Sequence, residues 1–255
     1  MRSEDDVHHV FELWGQGWSK QAISRETGVS RAQVRVWIEK GIEVVLASPM
    51  RAGRCGSSCD LPARAPPAAY AYLLGQYLGD GCISEASRHV FRLRIVMCDD
   101  YPSIRDECEL AIHLVMPGHR IGRVKRLGCS EVYGYSKHWP CLLPQHGPGR
   151  KHERKLILAP WQERIAYDLS PQFFLRGLVH ADGCRVINRV TGQRTGKRYE
   201  YPRYFFTNES SDIREFFVEA CRRLHVHCRY TKPNTLSVAR REHVGVLDTF
   251  VGAKA

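Results

Sequence analysis

The sequence predicts an α+β protein: two pseudo-symmetric αββαββα halves preceded by a small all-α helix-turn-helix module. Three observations carry this reading. The stretch LLGQYLGDG, Leu73 to Gly81, returns as LRGLVHADG, Leu175 to Gly183. The text after each copy alternates strand-like and helix-like segments in the same order. Residues 1–42, by contrast, read as short capped helices with no strand period.

Within residues 1–42, Gly15 and Gly17 break a first helix near Trp14. Ser19 is placed to cap SKQAISRET, Gly28 supplies a tight turn, and Ser30 caps RAQVRVWIEK, which stops at Gly41. Ile23, Val29, Val34 and Trp37 fall where a helix-turn-helix buries its apolar residues. The pattern resembles the helix-turn-helix of bacterial regulators and recombinases. In that motif the second helix enters the major groove with its N-terminal end. Here that end presents Arg31, Gln33 and Arg35, side chains suited to guanine, adenine and phosphate. A three-helix structural cap is the plainer alternative.

Residues 43–69 are dense in Pro, Gly, Ala and Ser and read as a linker. Cys55 and Cys59 lie in it at a tight spacing. A structural zinc site takes four ligands, and no second pair at matching spacing is obvious, so a flexible Gly/Ser connector is the competing reading.

The first half, residues 70–155, continues from its motif into the alternating HVFRLRIVM, a helical PSIRDECELAIHLV, then HRIGRVKRL and EVYGYSK. The second, 156–255, offers CRVINRV and YPRYFFTN, a helix DIREFFVEACRRL capped by Ser211, then HCRYTK and TLSVAR. HWPCLL and HVGVLDTFVG are the candidate closing helices. The two aspartates of the motif copies, Asp80 and Asp182, stand 102 positions apart, a domain-half spacing.

The motif has a physical rationale. Glycine inside a helix costs about 1 kcal/mol relative to alanine. Small residues at i and i+4 share one face, so Gly75 and Gly79 leave a smooth groove, as do Gly177 and Ala181. Two such faces can pack backbone against backbone, and the crossing would bring Asp80 and Asp182 together. Adjacent carboxylates repel unless something cationic intervenes. A hard divalent ion with oxygen ligands, Mg²⁺ (or Mn²⁺), is the natural answer.

Two such motifs, each opening an αββαββα half, resemble the LAGLIDADG homing endonuclease family in its single-chain form, over residues 70–255. The resemblance implies that Asp80 and Asp182 bind the metals used to cleave both strands of double-stranded DNA. It also implies assisting lysines near the active centre, for which Lys137 (in Ser136-Lys137) and Lys232 are the candidates. Leu78 and His180 depart from the acidic sixth residue of the family name, a position that varies.

Alternation in a strand puts Arg92 and Arg94 on one face and Phe91, Leu93 and Ile95 on the other. Arg120, Arg123, Lys125 and Arg126 enrich a later strand pair. Arg185, Arg189, Arg194, Lys197, Arg198 and Arg203 cluster in the second half with Glu200 as the opposing charge, around TGQRTGKR, a candidate hairpin tip. The segment HGPGRKHERK, His146 to Lys155, joins the halves, either along phosphates or as an exposed connector.

Composition sets the outer bounds. The chain has 255 residues, 38 Lys plus Arg against 27 Asp plus Glu, and a formal charge of +11, which favours a polyanionic partner. Its ten cysteines are scattered and read as reduced thiols. The first residues are acidic and polar, unlike a signal peptide, and no apolar run approaches the ~20 residues of a membrane span. A monomeric cytoplasmic protein that binds DNA and no membrane is expected. A self-splicing intein is not, since no terminal His-Asn pair is present. A non-cleaving transcriptional regulator on the same scaffold is the alternative, and an RNA maturase a more distant one.

Overall fold

The computed structural model describes residues 4–47, 59–191 and 196–252. The chain divides into two compact units, Met1–Ser58 and Cys59–Ala255.

The first unit holds α1 (Glu4–Gly15), α2 (Lys20–Thr27), α3 (Arg31–Lys40) and α4 (Ile42–Ala47). The Ser19 and Ser30 hydroxyls accept from the Ala22 and Gln33 amides, satisfying N–H groups that helices leave unpaired. Gly28 ends α2 at φ 63°, a conformation glycine adopts without steric cost. Val7, Val10, Leu13, Ile23, Val29, Val34, Trp37 and Val45 form its core.

The second unit opens with α5 (Leu61–Arg64) and α6 (Pro67–Asp80). The stretch expected to be linker therefore carries helix at 42–47 and 61–64, and α6 starts before residue 70. Pro62 and Pro67 sit in first helical turns, where a missing N–H costs nothing, and Ala65 is buried against the main core. There follow β1 (Gly81–Glu85), β2 (Phe91–Cys98), α7 (Pro102–Val115), β3 (Ile121–Arg126), β4 (Cys129–Ser136) and α8 (Trp139–Leu142). A connector leads through α9 (Pro160–Glu163) and a wider helical turn, Arg164–Leu169, to the second half. That half is α10 (Pro171–Asp182), β5 (Gly183–Thr191), β6 (Arg198–Thr207), α11 (Ser211–Arg223), β7 (Arg229–Lys232), β8 (Thr235–Val238) and α12 (Arg241–Asp248).

Both halves thus run αββαββα, and their antiparallel sheets have the same order, β1-β2-β4-β3 and β5-β6-β8-β7. This is the two-half architecture that the motif resemblance implies. One cap differs from expectation: Ser210, not Ser211, caps α11, its hydroxyl accepting from the Ile213 amide. The Ser210 amide is itself fixed by the Asn208 side-chain oxygen, which sets the turn one residue earlier.

The halves meet along α6 and α10. A Cβ on Gly75 would lie 2.6 Å from the Leu178 amide nitrogen and 2.7 Å from the Phe174 carbonyl oxygen. One on Gly177 would overlap the Tyr72 carbonyl. These two helices therefore touch backbone to backbone. Every residue from Tyr70 to Leu78 is buried, so α6 is enclosed on all sides. Arg176 on α10 clamps the join: its guanidinium binds both Glu107 oxygens on α7 at 2.7 Å, and the Phe250 and Val251 carbonyls accept from its remaining nitrogen.

Gly75→Ala and Gly177→Ala should each destabilise the protein by about 2 kcal/mol or more, because an added methyl overpacks a contact that can relax only by parting the helices. Gly245 on α12 has nothing within 4 Å of a built Cβ. Gly245→Ala should be neutral or stabilising by roughly 0.5–1 kcal/mol. Urea unfolding of the three variants measures the contrast.

Candidate active site

The crossing decides where the helices end. A Cβ on Gly79 would collide with the Ala181 methyl and lie 2.7 Å from the Asp182 carboxylate. Asp80 follows Gly79, so Asp80 and Asp182 close α6 and α10 side by side. Gly75, Gly79, Gly177 and Ala181 all lie at this join. Asp182 is half-buried and accepts at 2.7 Å from the Asn208 amide nitrogen, while Asp80 is the more exposed of the two.

Both carboxylates sit at helix C-termini, where the helix dipole already carries partial negative charge. The position therefore calls for a cation. The two side chains that meet there offer carboxylate oxygens, the donor type that suits Mg²⁺ or Mn²⁺. The residues present fit a divalent ion of this class.

A cleft of about 480 Å³ adjoins the pair, lined among others by Gly79, Cys82, His146, Lys151, Asp182 and Asn208. Lys151 was missed from sequence. Its ammonium donates to the Tyr77, Leu78 and Gly79 carbonyls, the last two at 2.8 and 2.9 Å, and lies 5.0 Å from the Tyr77 ring centroid. It thereby caps α6 from outside the helix. Burial pulls its pKa down to about 8, against the opposing pull of Asp182 and Asp80. The segment His146–Lys155 accordingly packs into the site at Lys151. The only sequence signal was its density of basic residues.

The two lysines expected at the centre do not line this cleft. Lys137 follows Ser136, which pairs with Phe91, and Phe91 pairs with Glu85; that is the end of the sheet opposite Gly81. Lys232 lies on the outer strand β7, opposite Thr235.

Strand register sorts the basic residues. On the first sheet Phe91, Leu93, Ile95 and Met97 are buried, while Arg92 and Arg94 stand on the other, open face opposite Tyr135 and Tyr133. Arg92 pairs with the buried Glu131, and its guanidinium lies 4.4 Å from the Tyr133 ring centroid. Arg123 and Lys125 pair with Val132 and Ser130, on the helix side. Arg123 is held by Glu109 and, at 2.9 Å, by Asp106. Register thus sets Arg123 and Lys125 on the side of the sheet away from Arg92 and Arg94. Arg126 does share the open side, 3.4 Å from Glu131, and Arg120 precedes β3 exposed.

The second sheet repeats the lesson. Arg203 stands on the open face near the Tyr201 and Phe205 rings, and Lys197 lies 5.8 Å from the Tyr199 ring centroid. Arg185 pairs in register with the buried Tyr204, so it faces the helices, where Asp248 of α12 holds it in two hydrogen bonds of 2.7 and 2.8 Å. Arg189 and Arg198 share that parity, and Arg189 pairs with Glu200 at 2.9 Å. Glu200 is thus not the sole opposing acid. Arg194 and Cys55 lie outside the described residues.

In the first unit Arg31 and Arg35 are exposed at the start of α3 and Gln33 is half-buried. Arg35 lies 3.6 Å from Glu39. Among the described residues no helix is long and apolar enough to cross a membrane.

No protein-family model matches the chain, and no curated protein does. Solved structures are similar to it at low identity. Mesophilic variants from the homing endonuclease I-DmoI match at 16% identity and a TM-score of 0.47, over 74% of this chain and 98% of theirs. I-AabMI, a LAGLIDADG meganuclease bound to uncleaved DNA, matches at 12% and 0.45, over 71% and 82%. The homing endonuclease I-WcaI bound to its DNA recognition sequence matches at 11% and 0.46, over 77% and 89%. Such likeness decides nothing about chemistry, which rests on this chain's own side chains.

The Lys151 shift has a defined sign. Its folded value of about 8 lies below the ordinary 10.5, so the folded protein holds this proton less tightly than the unfolded chain. Unfolding takes up a proton across that window, and this component of stability rises with pH there. The unfolding free energy of wild type should therefore gain on that of Lys151→Met between about pH 7.5 and about pH 10. A difference that stays flat in urea titrations would place the ammonium in water.

Proposed function

We propose that the protein is a sequence-specific DNA endonuclease that cuts both strands with a divalent metal. The observation that carries this is the meeting of Asp80 and Asp182 at the ends of two helices in backbone contact, next to a cleft. The open sheet faces support a nucleic-acid partner: Arg92, Arg94 and Arg203 interleave there with Tyr133, Tyr135, Tyr201 and Phe205. Guanidinium groups offer phosphate contacts, and the net charge of +11 draws a polyanion towards them.

Asp80 and Asp182 would hold Mg²⁺ or Mn²⁺. The bound ion would supply charge neutralisation at the scissile phosphate and a water acidic enough to attack it. The chain's own part is positional. Asn208 orients the Asp182 carboxylate, Lys151 fixes the last turn of α6, and the Gly75–Gly177 contact sets the separation of the two acids. Arg31, Gln33 and Arg35 of the helix-turn-helix would add a second, tethered contact to DNA, raising affinity by effective concentration.

A non-cleaving DNA-binding regulator has one observation in its favour. The Lys151 ammonium already supplies a positive charge from the chain itself against the carboxylate pair.

A cleavage selection from a random duplex library in Mg²⁺ separates the two readings. Wild type should enrich a discrete cut site. Asp80→Asn and Asp182→Asn should lose cutting by about 10³-fold or more while still binding that site, as removal of a metal ligand implies. Specific binding with no cutting in Mg²⁺ or Mn²⁺ would give the answer to the regulator. Variants that cut as well as wild type would remove the two aspartates from the site. Affinity should also fall steeply with salt, as phosphate contacts demand.

A further inference from the structure

The main unit contains a second cluster with a different donor chemistry. Cys59 begins the unit, just ahead of α5; His138 is the N-cap of α8 and Cys141 lies within it. One ligand atom from each of the three lies within 4.8 Å of the others, and all three side chains are half-buried. The Cys59 sulfur is 3.6 Å from the His138 Nδ1.

We propose that Cys59, His138 and Cys141 bind a zinc ion that staples the entry to α6 onto the end of the first half. With Zn–S near 2.3 Å and Zn–N near 2.05 Å, a tetrahedral site has an S···N edge of about 3.6 Å and an S···S edge of about 3.8 Å. The observed S···N separation already matches that edge, and the Cys141 sulfur lies within 4.8 Å of both other ligand atoms.

The backbone holds the ligands ready. His138 and Cys141 are three apart on one helical turn and so share a face. The Cys141 amide donates to the His138 carbonyl at 2.9 Å, and the His138 amide to the Ser136 hydroxyl at 3.0 Å. Trp139 and Leu142, buried on the other side of that turn, anchor it in the core. On the Cys59 side, Leu61 packs against the same core.

Two thiolates and an imidazole select zinc over Mg²⁺, whereas the carboxylates of Asp80 and Asp182 select the reverse. The chain would therefore carry two metals of different kind at separate places. The fourth zinc position falls to water or a further donor. What the zinc supplies is tertiary restraint: α5 and α8 are short, and a metal linking 59 to 138 and 141 closes a loop of some eighty residues in the unfolded chain. This goes beyond DNA cleavage and does not depend on it.

The test uses the full-length protein, purified under reducing conditions and reconstituted with Zn²⁺, with metal content read by mass spectrometry. Wild type and Asp80→Asn should each retain about one zinc per chain, as a discrete protein site implies. Cys59→Ser, His138→Ala and Cys141→Ser should each lose most of it. Because a variant could fail to fold, wild type is also loaded with Co²⁺, where thiolate-to-metal charge-transfer absorption should appear. Stripping the zinc from wild type with a strong chelator should expose two further thiols to a thiol reagent and lower the melting temperature. Wild type that takes up no zinc, zinc that persists in a folded Cys59→Ser/Cys141→Ser double variant, or a Cys59–Cys141 disulfide in non-reduced peptide maps would each overturn the proposal.

Discussion

The main unit depends on one contact: the backbone of α6 lying against the backbone of α10 at Gly75 and Gly177. Helix propensity argues against glycine at such places by about 1 kcal/mol each. The close approach offsets that loss, because an enclosed helix makes dispersion contacts along its whole length. Once two helices touch this closely, their ends are no longer independent. The residue that terminates one helix must lie beside the residue that terminates the other, and here both are aspartates.

That geometry carries an electrostatic load. Two carboxylates and two helix C-termini put negative charge in one place. The chain answers with Lys151, which spends its three protons on the Tyr77, Leu78 and Gly79 carbonyls while feeling both aspartates. Its lowered pKa shows that burial costs this ammonium more than the aspartates return. The Arg176 guanidinium does related work on the far side of the crossing, joining α10 to Glu107 and to the chain's closing turn. Arg176 thus joins the two halves while Lys151 caps α6 within the first, and the open sheet faces remain available to a ligand.

The sequence revealed what is local or periodic. The twin motifs, the Ser19 and Ser30 caps and the alternation in FRLRIV each follow from spacing along one segment, and each appears in the structure. What it left open are the relations between segments. Arg123 and Lys125 read as strand residues, but only pairing with Val132 and Ser130 decides that they face the helix side. A one-residue change of register would reverse that, and nothing within IGRVKR reveals it. Arg185 is similar, since its partner Asp248 lies on the last helix. Lys151 sits in an aperiodic connector, so its position depends on how the halves dock. His138 and Cys141 are separated from Cys59 by a whole half, and sequence spacing alone paired Cys59 with Cys55 instead.

The central claim is that the helix crossing makes one shared metal site of two distant aspartates. Mn²⁺ binding, followed by electron paramagnetic resonance on the protein bound to duplex DNA, tests it most directly. A shared site predicts that Asp80→Asn and Asp182→Asn each weaken Mn²⁺ binding, and that the double variant is little worse than either single one. Mn²⁺ affinity unchanged in either single variant would contradict it.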